Sequence, residues 1–176
     1  MQIYEALKKD HDAVKKLLQR LEGSADADQE TRSALIEKIR DELIPHSRAE
    51  EAVFYNSLRY IDEAKDLVRH GYQEHMEAEA LLRTLQGMDA LNADWTTVAR
   101  KLKDAVEHHI EEEEGEIFAA AKQLLAEEEA TAMAEVFEQM KPQVREEGFM
   151  KNTFDGIINT MPPRFIEPFR NFFLRR

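Results

Sequence analysis

The chain has 176 residues, a net charge of −12 and no cysteine. That length suits one domain with a substantial core. The acidity argues against nucleic acid and anionic surfaces as partners, and the lack of cysteine excludes disulfides, thiolate metal sites, iron–sulfur clusters and thiol catalysis. The N-terminus has no apolar leader core and no apolar run is long enough to span a membrane, so a cytoplasmic location is expected.

Glycine and proline are sparse and fall mostly at borders, while Glu, Lys, Leu, Ala and Arg fill the interiors, which is the composition of an all-helical protein. Residues 3–22 carry Ile3, Leu7, Val14, Leu18 and Leu21 at helical spacing and end at Gly23. After a polar loop at 24–30, a second helix is predicted over 31–58, with Leu35, Ile36, Ile39, Leu43, Val53 and Phe54 on one stripe and Pro45 expected to kink it. A third covers 63–85, with Leu67, Val68, Tyr72, Ala78, Leu82 and Leu85 inward. Following a loop at 87–93, Asp94 is the expected N-cap of a fourth helix running to about residue 126. Four long amphipathic helices with short connections predict an all-α, up-and-down four-helix bundle over 1–128.

The remainder, 129–176, reads as a C-terminal helical extension. A short helix is predicted at 130–140, stopped near Pro142. Beyond it the text is aromatic and basic, and Phe165, Ile166, Phe169, Phe172 and Phe173 share one helical face. Such a stripe is expected to pack on its own bundle or on a sister subunit, giving a homodimer; a membrane-surface role is the lesser reading.

Each of the four helices aims one histidine along its apolar stripe: His11 after Leu7, His46 after Leu43, His75 after Tyr72 and His109 after Val106. A lone inward histidine is usually a satisfied core residue. Four of them, one per helix, are hard to explain that way, because each buried imidazole needs its own partner. Glu50 follows His46 by one turn and shares its face. The spacing from His11 to His46 is 35 residues and from His75 to His109 is 34, so the chain reads as two hairpins of one plan. Neutral imidazoles with carboxylates between them describe a binuclear site for a borderline cation such as iron or manganese.

His11, the His46-x-x-x-Glu50 pair, His75 and the His109 segment resemble the hemerythrin-like, or HHE cation-binding, domains over about residues 3–126. The resemblance implies a four-helix bundle around two iron ions, with Mn or Zn as alternatives, bridged by carboxylate and by oxo or hydroxo. It implies His11, His46, His75 and His109 as terminal ligands and Glu50 as a bridging one. Dioxygen, peroxide or nitric oxide would be the small exogenous partner. Hemerythrins carry a second histidine one turn after the third-helix ligand. Here that position is Glu79, which points to an oxygen ligand or an altered coordination. The departure turns the expectation from reversible oxygen carriage toward sensing, peroxide or NO chemistry, or iron handling. The expected role is a metal-binding protein rather than a dedicated enzyme, and no catalytic residue is assigned.

The fourth-helix carboxylate is open between two neighbours. Glu113 is four residues after His109 and shares its face on a regular helix. Aligning the segments 45–54 and 107–118 by their apolar tails instead leaves one residue to spare, which a π-bulge near Gly115 would absorb while turning Glu114 inward. Glu114 is preferred on that ground, with Glu113 the alternative. His70 and His108 lie off the stripe and are the weaker ligand candidates. Three other functions stand against this one. A di-iron oxidase of the ferritin-like type needs Glu-x-x-His pairs, and no histidine here has Glu three residues before it. A zinc hydrolase needs the absent His-Glu-x-x-His. A metal-free helical interaction module would use the aromatic tail instead.

Overall fold

The computed structural model describes residues 1–147, which are helical with short connections and, among the described residues, contain no strand. Helix α1 (Ile3–Glu22) starts with the Glu5 carboxylate accepting from the backbone N–H of Gln2 at 3.0 Å. Helix α2 (Gln29–Glu50) is capped by Asp28, whose side chain accepts from the N–H of Thr31 at 2.7 Å. It runs through Pro45 without a break, into a π-helical turn (Glu51–Tyr55) and a last α-turn, α3 (Asn56–Leu58). Helix α4 (Lys65–Gly87) and helix α5 (Trp95–Glu112) follow; α5 passes into a second π-turn (Glu113–Ile117) and then α6 (Phe118–Leu124). Asp94 stands at the N-cap position of α5 but makes no capping bond with its side chain; Asn92 Oδ1 instead accepts from the N–H of Asp94 at 2.8 Å.

The α1–α2 and α4–α5 hairpins pack side by side, with α1 against α5 and α2 against α4, which gives the expected bundle. No helix among the described residues is long and apolar enough to cross a membrane. Helix α7 (Glu127–Glu147) lies on α1 and α2. It does not stop at Pro142, as the sequence predicts. Contacts on both sides of the proline carry it through: Phe137 and Met140 are buried before it and Val144 after it, while Arg145 donates to the backbone oxygen of Asp41 at 2.8 Å. Tertiary packing thus outweighs the one lost backbone bond. The aromatic stripe at 165–173, with the dimer expected from it, lies outside the described residues.

The apolar core is split into two clusters. One holds Ile3, Leu7, Phe54, Leu58, Val68, Phe118 and the inner face of α7. The other holds Val14, Leu18, Ile39, Leu43, Leu82, Leu102 and Ile110. On every helix of the bundle the inward histidine falls where the chain passes from one cluster to the other: His11 between Leu7 and Val14, His46 between Leu43 and Ala49, His75 between Val68 and Ala78, His109 beside Ile110. A polar layer therefore crosses the bundle between two greasy ones. The apolar layers bury enough surface to hold the bundle while that layer carries groups that burial disfavours.

Candidate metal centre

His11, His46, His75, His109, Glu50 and Glu113 form the layer, all nearly inaccessible, with both glutamates at 0% exposure. The α-helical period places them there: His46 and Glu50, and His109 and Glu113, are one turn apart on the inward face. His46 Nε2 lies 3.4 Å and His75 Nε2 3.3 Å from Glu50 Oε2. His11 Nε2 lies 3.1 Å and His109 Nε2 3.8 Å from Glu113 Oε2. Two ligand trios result, His11–His46–Glu50 and Glu50–His75–His109. Glu50 belongs to both, and Glu113 touches one histidine of each. His75 Nε2 and His109 Nε2 are 3.0 Å apart. Two neighbouring nitrogens on one ion, with bonds of about 2.1 Å at right angles, stand about 3 Å apart, so this pair already has a shared ion's spacing.

The outer edge of each ring explains why all four Nε2 atoms face inward. His11 Nδ1 meets Glu114 at 3.0 Å, His46 Nδ1 meets Asp10 at 3.2 Å, His75 Nδ1 meets Glu51 at 3.0 Å and His109 Nδ1 meets Glu74 at 3.0 Å. A carboxylate only accepts, so each Nδ1 carries the hydrogen and donates it. In the neutral ring this leaves the Nε2 lone pair for the interior, the orientation that metal-ligating histidines are given by their outer partners. Sequence reasoning missed this outer role, although a signal exists. Asp10 and Glu74 each directly precede an inward histidine, and Glu51 and Glu114 each directly follow an inward glutamate.

Metal ions fit this donor set, on an observation independent of pattern. Both oxygens of Glu50, both oxygens of Glu113 and Nε2 of His11 are buried without a hydrogen-bond partner. Such groups are costly unless something else satisfies them, and cations between the trios would do so. The electrostatics of the bare layer carry the same message. Burial, then the neighbouring Glu50, push the Glu113 carboxyl up to about 8. Burial is outweighed at Glu50 by contacts with Glu113, His46 and His75, which hold it well below the usual carboxylate range. Burial disfavours charge on His46 and His75 as well, yet their carboxylate partners lift them to about 10 and about 9. Without cations the layer holds protons in their place.

Two sequence-predicted positions fall elsewhere. Glu114 is not turned into the layer: its side chain is 19% exposed, accepts from Lys8 Nζ at 2.5 Å and holds His11 from outside. Its partners His11 and Lys8 keep its carboxyl down at about 2, against a smaller effect of burial. The π-turn expected near Gly115 is present, but it starts at Glu113 and a matching one starts at Glu51. Because both segments carry the turn, they align from the histidine with no residue to spare: Glu50 with Glu113, Glu51 with Glu114, Phe54-Tyr55 with Ile117-Phe118. Aligning the tails one residue early is what favoured Glu114. Glu79 also stays out, pairing with Arg48 at 2.5 Å and Arg83 at 2.6 Å. Arg48 also reaches Glu51 at 3.3 Å, so Glu79 braces the acid that holds His75.

Tyr55 stacks on His75 with centroids 5.4 Å apart and planes at 12°, its hydroxyl buried without a partner. Gly71 makes room for it, since a Cβ there would meet the hydroxyl oxygen at 2.5 Å. On the first hairpin, Phe137 of α7 packs its ring edge-on to His46 at 5.7 Å. Lys141 donates to both oxygens of Asp10 at 2.8 and 2.9 Å. Although burial pushes Asp10 up, His46 and Lys141 hold it below its ordinary value.

A family model for the hemerythrin HHE cation-binding domain matches residues 2–121. A hemerythrin-like protein of Schizosaccharomyces pombe is 30% identical over 141 residues, covering 79% of this chain and 68% of that protein. A Nostoc protein named as a DNA nickase is 27% identical over 146 residues, with 83% of this chain aligned. The chain spans only 41% of that second relative's length. No solved structure matches the chain. The family match contains all four inward histidines and both buried glutamates, and on its extent the chain belongs to the hemerythrin HHE cation-binding family.

Proposed function

We propose that the polar layer holds two iron ions, with manganese or zinc as competing occupants, and that the protein uses them to meet dioxygen, peroxide or nitric oxide. One observation carries the reading. Glu50 is wholly buried, has two unpartnered oxygens, and belongs to two histidine trios at once. A carboxylate so placed suits a bridge between two cations, and imidazole with carboxylate suits iron, manganese or zinc. His11 and His46 would hold one ion, His75 and His109 the other, with Glu113 as second bridge. When bound, iron would supply Lewis acidity and one-electron redox steps.

The chain's own residues set the conditions for that chemistry. The outer acids keep each imidazole in the ligating tautomer. Val14, Leu43, Ala78, Val106 and Ile110 wall the pocket beside the four histidines, so the space next to the layer is apolar. A small, weakly hydrated molecule enters such a space more readily than a charged one. The test is metal analysis of aerobically purified protein with its visible spectrum before and after dithionite. Two irons per chain and a charge-transfer band that bleaches on reduction are expected. Stoichiometric zinc alone, or no metal after iron-supplemented expression, overturns the reading.

A further inference from the structure

One cluster of metal-ligating side chains lies outside the buried layer. His70 and Glu74 are one turn apart on α4, and His108 and Glu112 are one turn apart on α5. These are two more His-x-x-x-Glu pairs, on facing antiparallel helices, with the spacing of His46–Glu50 and His109–Glu113. The structure brings them together. His70 Nε2 lies 3.3 Å from Glu112 Oε2 and 3.8 Å from Glu74 Oε1, while His108 Nε2 lies 3.2 Å from Glu112 Oε1. Both histidines are open to solvent, at 55% and 61% side-chain exposure.

Glu74 joins this cluster to the interior. Its Oε2 accepts from Nδ1 of His109, and its Oε1 faces His70. It also lines both the pocket beside the four histidines and an open groove on the α4–α5 face. Glu77, Asp104 and His108 line the same groove, where three acids outnumber the one lysine, Lys101, and leave a net negative charge that draws cations. The other three outer acids each face a fixed cation, Asp10 with Lys141, Glu51 with Arg48 and Glu114 with Lys8, whereas Glu74 faces His70. A hydrated ion needs a polar way in, and Glu74 is the outer acid that joins an exposed histidine to a buried one.

We propose that His70, His108, Glu112 and Glu74 form a surface site for a divalent transition-metal cation, and that ions bound there pass by way of Glu74 to the buried centre. Imidazole with carboxylate selects borderline cations such as ferrous iron, manganese, cobalt or zinc over calcium and magnesium. With solvent on one side and fewer fixed ligands, the site binds more weakly than the buried layer, as a transfer point requires. The loading role rests on the reading of the layer as a metal centre.

The test uses metal-free full-length protein and cobalt(II) as the probe. Equilibrium dialysis is expected to show two tightly held ions and one weaker ion per wild-type chain. The variant H70A/H108A, altered only at exposed positions, is expected to lose the weaker ion and keep both tight ones. Stopped-flow absorbance is expected to show it filling the tight sites at least about ten-fold more slowly, because no imidazoles remain to concentrate ions at the entrance. A weaker ion still bound by the variant overturns the surface site, and an unchanged filling rate overturns the loading role. If the wild type binds only the weaker ion and the variant binds none, the surface site stands while the buried-centre reading falls, and the loading role with it.

Discussion

The two hairpins build the same half-site and finish it differently. In each, an acid-histidine pair on one helix faces a His-x-x-x-Glu-Glu segment on the next, and the two rings meet edge to face at 5.0 Å and 4.6 Å. The first half is backed by α7: Phe137 lies against His46, and Lys141 neutralises Asp10. In the second half, Glu74 stands between the pocket and an open groove. The charges differ as well. His46 is lifted to about 10 by Asp10 and Glu50 against the opposing effect of burial, whereas burial keeps His109 below its ordinary value despite Glu74. Equal donor sets with unequal backing make the two halves inequivalent, the outer acid Asp10 of the first neutralised by a lysine and Glu74 of the second facing an open groove.

The most severe way to break the comparison is Glu50→Ala. Glu50 belongs to both trios, so both halves are expected to lose their metal. Metal analysis that still finds one ion per chain would show the halves to be independent.

Next in size is the pH dependence of the metal-free protein. The folded-state values of His46 and His75 are raised, so the stability they contribute is present below about 6.5 and lost as pH rises through about 9 and about 10. Glu113 is also raised, to about 8, so its contribution falls as pH climbs from the unfolded value of 4.5. Glu50, Asp10 and Glu114 are lowered, and theirs is lost toward acid. His109, lowered, likewise favours higher pH, alone against the three raised histidines His11, His46 and His75. Thermal unfolding of metal-free protein should therefore peak between about pH 4.5 and 6.5 and weaken up to about pH 10. A midpoint that rises steadily from pH 6.5 to 10 would contradict this account of the bare layer.

The outer acids sharpen the contrast between halves. Asp10→Asn should weaken the His11–His46 position and Glu74→Gln the His75–His109 position, each by about 10- to 100-fold in metal affinity. Chelator competition reads this directly, and equal weakening of both positions by either variant would argue against separate half-sites. The smallest expected change is Gly71→Ala. The added methyl drives into the Tyr55 ring that stacks on His75, costing about 1–3 kcal/mol of stability. Denaturant unfolding measures it, and an unaltered midpoint would mean that Tyr55 moves aside freely.

The four helices, their inward stripes and the residues His11, His46, Glu50, His75 and His109 are legible because burial imposes a 3.6-residue period that the chain writes openly. Glu113 is equally available from that period, and it ranks as the alternative to Glu114 only through an alignment of apolar tails that does not count Tyr55. The course of α7 through Pro142 was not legible, because the propensity against proline is local and the contacts that override it come from α1 and α2.

The sequence by itself determined the bundle and the inward histidines, since both follow from which side chains share one face of one helix. Only the tertiary structure decided how the acids divide. Glu50 and Glu113 turn in, Glu51 and Glu114 support a histidine on another helix, Asp10 and Glu74 support the histidine across their own hairpin, and Glu79 goes to Arg48. A carboxylate's role depends on the donor that faces it, and here that donor lies 24 to 103 residues away along the chain. No periodicity within one helix encodes a partner on the next.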